Sequence, residues 1–352
     1  MTKRIAIFIP TIKPGGAEKQ AALLAIHLSK KHQVHFVAFF GHLEESPIVR
    51  RILVEANVNV IYIEGGVINK SRQYYKFLKE NKIEICFNYI SQCDIIGSFI
   101  EKLAGVDKIF NGIRNCKLPL IKLIGEWFAH NFVADYTIYN CYSGARNFEA
   151  KGFSKSKTII IPNCFLDISE PIKHEIREKK QIITVARFQP QKDYKTSIRA
   201  IAEIKKTRHD FEFVIIGHGY LEPKIRQWVK FYGIENCTTI YVAPDNVQEI
   251  LKSADIYLST SLFEGTSNSI MEAMNWSLPV VATNVGDNDQ LVKHDWNGFI
   301  TPVGDYRTIA LYIIRLIQDD CLRREMGLRG NERLHNYSEE RFIENYSRLL
   351  EK

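Results

Sequence analysis

The chain has 352 residues, 45% hydrophobic and 25% charged, with 20 Gly and 11 Pro, a composition that excludes disordered, collagen-like and low-complexity chains. It is long enough for two domains, since single cores rarely grow past roughly 250–300 residues. The formal net charge of +7 is uneven: residues 1–165 hold 22 Lys+Arg against 13 Asp+Glu (+9), and residues 166–352 hold 25 against 27 (−2). The basic residues come as pairs such as Lys30-Lys31 and Arg50-Arg51 rather than as clusters interleaved with stacking aromatics, which argues against a nucleic-acid partner.

In chain order, Ile5–Ile9 reads as a strand ending at Pro10, too short for a signal peptide. A Gly-rich turn and a helix over Ala17–Lys30 follow, with Ala21, Leu24, Ala25 and Leu28 at helical spacing. Further strands are expected at Val34–Phe40, Val58–Tyr62, Ile83–Asn88, Asp107–Ile113, Tyr136–Tyr139 and Thr158–Ile161, with a helix over Ser71–Glu80. The Pro-containing, charge-rich stretch Asp167–Lys180 suits an exposed linker. The alternation then restarts with strands at Ile182–Ala186, Phe211–Ile216, Thr239–Val242, Ile256–Ser259 and Pro279–Thr283. Helices are expected over Tyr194–Lys205, Leu221–Tyr232, Asn246–Ser253 and Ser267–Trp276, then over Arg307–Asp319 and Ser338–Leu350. Short apolar runs alternating with helices predict two doubly wound α/β domains with parallel sheets, and ligands at strand carboxyl ends. The domains are expected at 1–165 and 166–335, with a C-terminal helix, 336–352, returning to the first. Seven scattered cysteines without a C-x-x-C pair suit a reducing, cytoplasmic setting.

Three loops carry candidate chemistry. Gly15 and Gly16 follow the first strand and open a helix whose amides can meet an anion, although many such turns need glycine for geometry alone. The segment is neither G-x-G-x-x-G nor a P-loop, so a dinucleotide dehydrogenase loses support. Arg187 and Lys192 sit at the end of strand Ile182–Ala186, where two cations can converge on a diphosphate; isolated, they would be solvated surface charges. In F-E-G-T-S-N-S-I-M-E, the helix N-terminus at Ser267, Asn268 and Ser269 can bind phosphate. Glu264 and Glu272 can each accept hydrogen bonds from sugar hydroxyls. Ile270, Met271 and Ala273 point to a buried helix, where Glu272 needs a partner. No His/Cys spacing suggests a metal, and Asp287-Asn288-Asp289 suits a polar turn.

Taken together and in order, P-x-x-x-P-G-G-A-E, V-A-R-F-x-x-x-K and E-G-x-x-N-x-x-x-E resemble family 4 of the glycosyltransferases, of GT-B fold. N-C-Y-S-G-A-R-N-F-E-A-K-G-F with I-I-I-P-N-C, I-I-G-H-G-Y-L, and V-G-D-N-D-Q-L-V-K-H-D-W-N-G-F-I extend the resemblance through nearly the whole chain. It implies a retaining transferase that moves a sugar from a nucleotide diphosphate-sugar, UDP-linked by expectation, without a metal or other cofactor. The acceptor would be a glycan or lipid-linked hydroxyl, as in surface-polysaccharide synthesis. Arg187 and Lys192 would hold the leaving diphosphate, Glu264 the donor sugar and Glu272 the ribose. Gly217, Gly265 and the Thr266–Asn268 amides would complete the donor site, with Gly15 and Gly16 near the transferred sugar. On the acceptor side, Arg114 and Asn115 stand where many members carry a His; Arg114 would hold a phosphate or the sugar, or else form a surface ion pair. The chain departs from the family at His218 (usually Asp), Cys164 (Gly), Gln290 (Glu) and Asp287 (Gly). A sugar-nucleotide epimerase of the same architecture and a non-catalytic partner protein are the alternatives.

Finally, Lys117–Ala134 mixes Leu118, Leu120, Ile121, Leu123, Ile124, Trp127, Phe128 and Phe132 with lysines. A core helix under the sheet is the commoner meaning of such a pattern; an interfacial helix docking weakly on an anionic membrane is the other.

Overall fold

The computed structural model describes residues 2–13, 15–41, 45–114 and 118–351. The chain divides into two compact units, Met1–Cys164 with Glu339–Lys352, and Phe165–Ser338.

In the first unit Ile5, Ala6, Ile7, Phe8 and Ile9 are all fully buried, as expected of a strand covered on both faces. The strands are β1 (Arg4–Ile9), β2 (Gln33–Ala38), β3 (Asn59–Tyr62), β4 (Ile85–Asn88), β5 (Lys108–Ile113), β6 (Tyr136–Tyr139) and β7 (Thr158–Ile160). They form one parallel sheet in the order β3-β2-β1-β4-β5-β6-β7, with Ile7 opposite both Phe36 and Phe87. Strand periodicity sorts the core. Ile5, Ile7 and Ile9 pack with Ala21, Leu24 and Leu28 of the helix Gly16–Ser29 and with Phe342, Tyr346 and Leu349 of the C-terminal helix Glu339–Leu349. Ala6 and Phe8 face the opposite layer, formed by the helices Val67–Glu80 and Ser91–Ala104 through Tyr74, Phe77, Cys93 and Ile100.

The segment after β5 corrects the expectation of a core helix. Leu120–Phe128 is α-helical and continues into a π-helical turn, Ala129–Val133. Leu120, Ile121, Ile124, Trp127, Phe128 and Phe132 face solvent, while the acidic Glu126 is fully buried.

The second unit carries β8 (Lys180–Val185), β9 (Phe211–Gly217), β10 (Thr238–Val242), β11 (Ile256–Ser259), β12 (Val280–Thr283) and β13 (Gly298–Thr301). They form a parallel sheet ordered β10-β9-β8-β11-β12-β13. Strand β13 goes beyond the expected strands, because its four residues begin on a glycine and give too short an apolar run. Helices at Pro47–Glu55, Ser91–Ala104, Tyr142–Glu149 and Asp320–Leu334 also go beyond the expected set. The stretch 167–180 is irregular up to β8, yet it is tied along the second unit. The Ser169 and Ile172 amides donate to Asn275 Oδ1 (2.7 Å) and Ser277 Oγ (2.9 Å), and Arg324 Nε donates to the His174 carbonyl (2.7 Å). Phe165 and Ser338 form a parallel bridge, so the chain enters and leaves this unit side by side.

In each sheet the strand order reverses once near the middle, between β1 and β4 and between β8 and β11. The loops leaving the carboxyl ends at such a switch point diverge and leave a crevice.

Candidate functional site

At the β8/β11 switch point, the first wall is the loop following β8. Gly217, ending β9, lets that loop pass close by: a Cβ there would lie 1.9 Å from the Ala186 carbonyl oxygen. The Phe188 amide donates to the His218 carbonyl (2.7 Å), and the Tyr194 hydroxyl to the Ala186 carbonyl (2.7 Å). Pro190–Lys192 forms a 3₁₀ turn, and Asp193, at φ +43°, caps the helix Tyr194–Lys205 by accepting from the Thr196 hydroxyl (2.6 Å) and amide (3.4 Å). Arg187 and Lys192 therefore project from a loop braced at both ends.

The loop following β11 supplies the second wall and is sewn to the first. The Thr260 hydroxyl donates toward the carbonyls of Lys192 (3.1 Å) and Asp193 (3.0 Å), and the Leu262 amide to the Gln191 carbonyl (2.8 Å). Lys192 Nζ lies 2.5 Å from Glu264 Oε1, which also accepts from the Ser261 hydroxyl (2.6 Å). A third loop supports Glu264 from behind. Gly286 has φ +59°, and a Cβ there would lie 2.5 Å from the Gly265 carbonyl oxygen and 2.6 Å from that of Glu264.

Arg187, Lys192, Glu264, Thr266, Ser267, Asn268 and Glu272 line a single cavity of about 280 Å³. It opens on the N-terminus of the helix Asn268–Asn275, where unpaired amides and the helix dipole favour an anion. Glu272 is half-buried on that helix, and burial pushes its carboxyl above the usual range, opposed by a hydrogen bond from Gln248. Two cations, a helix N-terminus and two carboxylates thus share one pocket: one end suits phosphates, and the carboxylates suit hydroxyl donors. Gly265 lies in the loop that carries Glu264, and Gly217 beneath the Arg187 loop. Among the described residues no three His, Cys, Asp or Glu side chains gather as a metal-holding group.

The remaining candidates lie in the first unit. The helix there starts at Gly16, with Gly15 as its extended N-cap residue. The nearly buried Glu18 carboxylate closes over Gly15, where a Cβ would lie 2.2 Å from Oε2. Glu18 ends the P-G-G-A-E run singled out in the sequence, which gave it no role of its own. Pro10, Thr11, Lys13, Glu18 and Ile90 line a separate cavity of about 380 Å³ at the β1/β4 switch point. Among the described residues Arg114 forms no surface ion pair. Its guanidinium stacks 4.4 Å above the Tyr89 ring and donates to the Tyr346 hydroxyl (2.9 Å) on the C-terminal helix. Asn115 lies outside the described residues. A network with no signal in the sequence runs beside β4 and β5. Glu101 accepts from Tyr74 (2.7 Å) and Asn88 (2.9 Å), and Asp94 accepts from the Gly112 amide (2.8 Å).

Residues 168–333, within the unit that holds the Arg187 cavity, match the family model of glycosyl transferases group 1. The amylovoran biosynthesis glycosyltransferase AmsK of Erwinia amylovora is 29% identical over 158 residues, covering 43% of this chain; the chain matches only 39% of AmsK's length. The UDP-Gal:alpha-D-GlcNAc-diphosphoundecaprenol alpha-1,3-galactosyltransferase of Escherichia coli is 25% identical over 280 residues, 70% of each chain. Among solved structures, HepE of Anabaena in complex with UDP shares the fold across 99% of both chains, with a TM-score of 0.82 at 17% identity. The segment 168–333 thus belongs with the group 1 glycosyl transferases, and the two parallel α/β units have the GT-B fold that the solved structures share.

Proposed function

We propose that the chain is a retaining glycosyltransferase that moves a hexosyl or N-acetylhexosaminyl unit from a nucleotide diphosphate-sugar, UDP-linked in the first instance, to an acceptor hydroxyl. The acceptor is a glycan or lipid-linked sugar in surface-polysaccharide or glycoconjugate synthesis. The observation that carries this reading is the cavity in which Arg187, Lys192 and a helix N-terminus face Glu264 and Glu272. The E. coli relative, which by its name uses UDP-Gal and a diphosphoundecaprenol acceptor, supports the donor and acceptor classes. HepE, solved with UDP, supports the base. Scattered cysteines without a C-x-x-C pair support a cytoplasmic setting.

In this reading the diphosphate sits against Arg187, Lys192 and the amides at Thr266–Asn268. Glu264 accepts from donor-sugar hydroxyls and Glu272 from the ribose. The bond from the anomeric carbon to the diphosphate oxygen breaks as the acceptor oxygen bonds to the same face of that carbon. The acceptor proton passes to the departing phosphate oxygen. The cations stabilise charge that grows on that oxygen in the transition state, which is where fixed electrostatics gain most. No general base and no metal are assigned a step. Gly15 and Gly16 are assigned to the transferred sugar, and Arg114 and Asn115 to the acceptor side.

Thermal shift against UDP, GDP, ADP, CMP and NAD, with and without EDTA, tests the donor assignment, since a ligand of the native state raises the melting temperature by mass action. A rise with UDP that is unaffected by EDTA is expected, followed by UDP release from a UDP-sugar and an α-linked product by NMR. Stabilisation by NAD alone, or an inverted product, would overturn the reading.

A further inference from the structure

The face of the first unit formed by the helices Val67–Glu80, Ser91–Ala104 and Leu120–Phe128 combines a wide apolar surface with one sign of charge. Along the last helix and its π-turn, Leu120, Ile121, Ile124, Phe128 and Phe132 fall on one side at helical spacing, with Ile121 87% and Phe132 63% exposed. This helix seats closely on its neighbour at Gly125, where a Cβ would lie 2.8 Å from Ile95. The Phe128 ring then continues the surface onto the neighbour by stacking on Phe99, centroids 5.8 Å apart, and Phe132 packs on Phe128 at 5.0 Å and on Trp127 at 5.5 Å. Leu103 (76% exposed) extends the surface to an open apolar groove of about 390 Å³ shared with Val67, Ile68 and Tyr75. Trp127 holds the edge by donating from Nε1 to the Gly152 carbonyl (2.9 Å).

Charge is distributed just as unevenly. Of the carboxylates on these three helices, Asp94, Glu101 and Glu126 are fully buried and Glu80 pairs with Lys76 (3.6 Å). The solvent-facing charges beside the apolar residues are Arg72, Lys79, Lys102 and Lys122. Contiguous exposed apolar surface of this kind marks an interaction site. An apolar centre bordered mainly by cations complements an anionic bilayer, in which the side chains enter the interface and the lysines reach phosphates. A second copy meeting this face by a two-fold axis would instead set like charges against one another. Among the described residues no helix is long and apolar enough to cross a membrane.

We infer that this face is a membrane-docking surface that binds the anionic lipid interface peripherally, through Ile121, Phe128, Phe132 and Leu103 for insertion and Lys102 and Lys122 for charge. The inference is independent of the donor site, which lies in the other unit.

Sedimentation of the full chain with vesicles of phosphatidylcholine, with and without phosphatidylglycerol, tests it. The wild type is expected to pellet with the anionic vesicles at low salt and to lose at least roughly tenfold in binding on neutral vesicles or at high salt. Ile121→Glu with Phe132→Glu, and separately Lys102→Glu with Lys122→Glu, should each lower binding by a similar factor while leaving the circular dichroism spectrum and the UDP-induced thermal shift unchanged. If the first pair unfolds the unit, the single variant Leu103→Glu, on a different helix, reports instead. Wild-type protein that stays in the supernatant at low salt would overturn the inference, as would variants that pellet like the wild type. So would self-association abolished by Ile121→Glu without vesicle binding, which would assign the face to a second copy.

Discussion

Lys192 Nζ and Glu264 Oε1 meet at 2.5 Å across two loops 72 residues apart in sequence, with side chains only 15% and 9% exposed. The pair fixes the separation of the loops leaving β8 and β11, and so the width of the crevice between them. It also aims the ammonium: Lys192 is oriented by a carboxylate that is itself held by Ser261, whereas Arg187 stands exposed at the rim. Desolvated pairs of this kind are costly to break singly, because the remaining charge is left without its partner.

Lys192→Ala is therefore expected to act twice. Loss of the charge on the leaving phosphate lowers kcat/KM by at least about a hundredfold, and the uncompensated Glu264 lowers the melting temperature of the second unit. Glu264→Gln keeps an acceptor for Ser261 and leaves Lys192 cationic, so it should preserve the melting temperature more closely while still impairing turnover. Steady-state kinetics and calorimetry on both variants check this. Wild-type kcat/KM in Lys192→Ala with only the melting temperature lowered would reduce the lysine to a loop tie.

Gly286→Ala probes the same site from behind without touching a charged group. The new methyl would collide with the Glu264 and Gly265 carbonyls at a backbone φ of +59°. The strain costs about 1–2 kcal/mol, and relief requires the Glu264 loop to shift toward the cavity. The expected result is a lower melting temperature together with a several-fold rise in the dissociation constant for UDP, measured by calorimetric titration. Unchanged UDP affinity would mean that the loop yields elsewhere.

How far the sequence reaches is seen in which of these residues it could place. Arg187, Lys192, Glu264 and Glu272 follow strand ends in a strictly alternating βα chain, and parallel topology brings such ends together, so their convergence was legible from order alone. The β8–β11 pairing that makes it physical is a long-range event, but the switch-point rule anticipates its result. Arg114 was different. Its Tyr346 partner lies 232 residues away, on a helix outside the βα alternation, and no local pattern links them. The helix Leu120–Phe128 was ambiguous for another reason: apolar spacing is identical for a helix facing the core and one facing a membrane. Only the burial of Glu126 and the exposure of Ile121 reveal which side is turned inward. Glu101, Asp94 and Glu126 were silent too, because solitary acids on helices normally read as solvated.

Those acids give the first unit a characteristic response to pH. Burial pushes the Glu101 carboxyl from 4.5 up to about 7, against the hydrogen bonds from Tyr74 and Asn88 that favour its charged form. Burial likewise raises Asp94 from 3.8 to about 6, against the Gly112 amide, and raises Glu126, with the Asp94 charge adding to the effect. The folded state therefore keeps protons that the unfolded chain has released. For Glu101 and Asp94 the stabilising share is complete below about pH 4, near the unfolded values, and is lost as pH rises through about 6 to 7. For Glu101 alone, a rise from 4.5 to about 7 corresponds to roughly 3 kcal/mol across that window. Glu101→Gln remains neutral throughout and keeps an oxygen to accept from Tyr74. In urea unfolding followed from pH 4.5 to 8, the wild type should lose stability in the first unit as pH rises. Glu101→Gln should flatten much of that slope, matching or exceeding the wild type at pH 8. An equal slope in the variant would show that Glu101 is ionised in the folded protein at neutral pH and that the cost is carried by its neighbours.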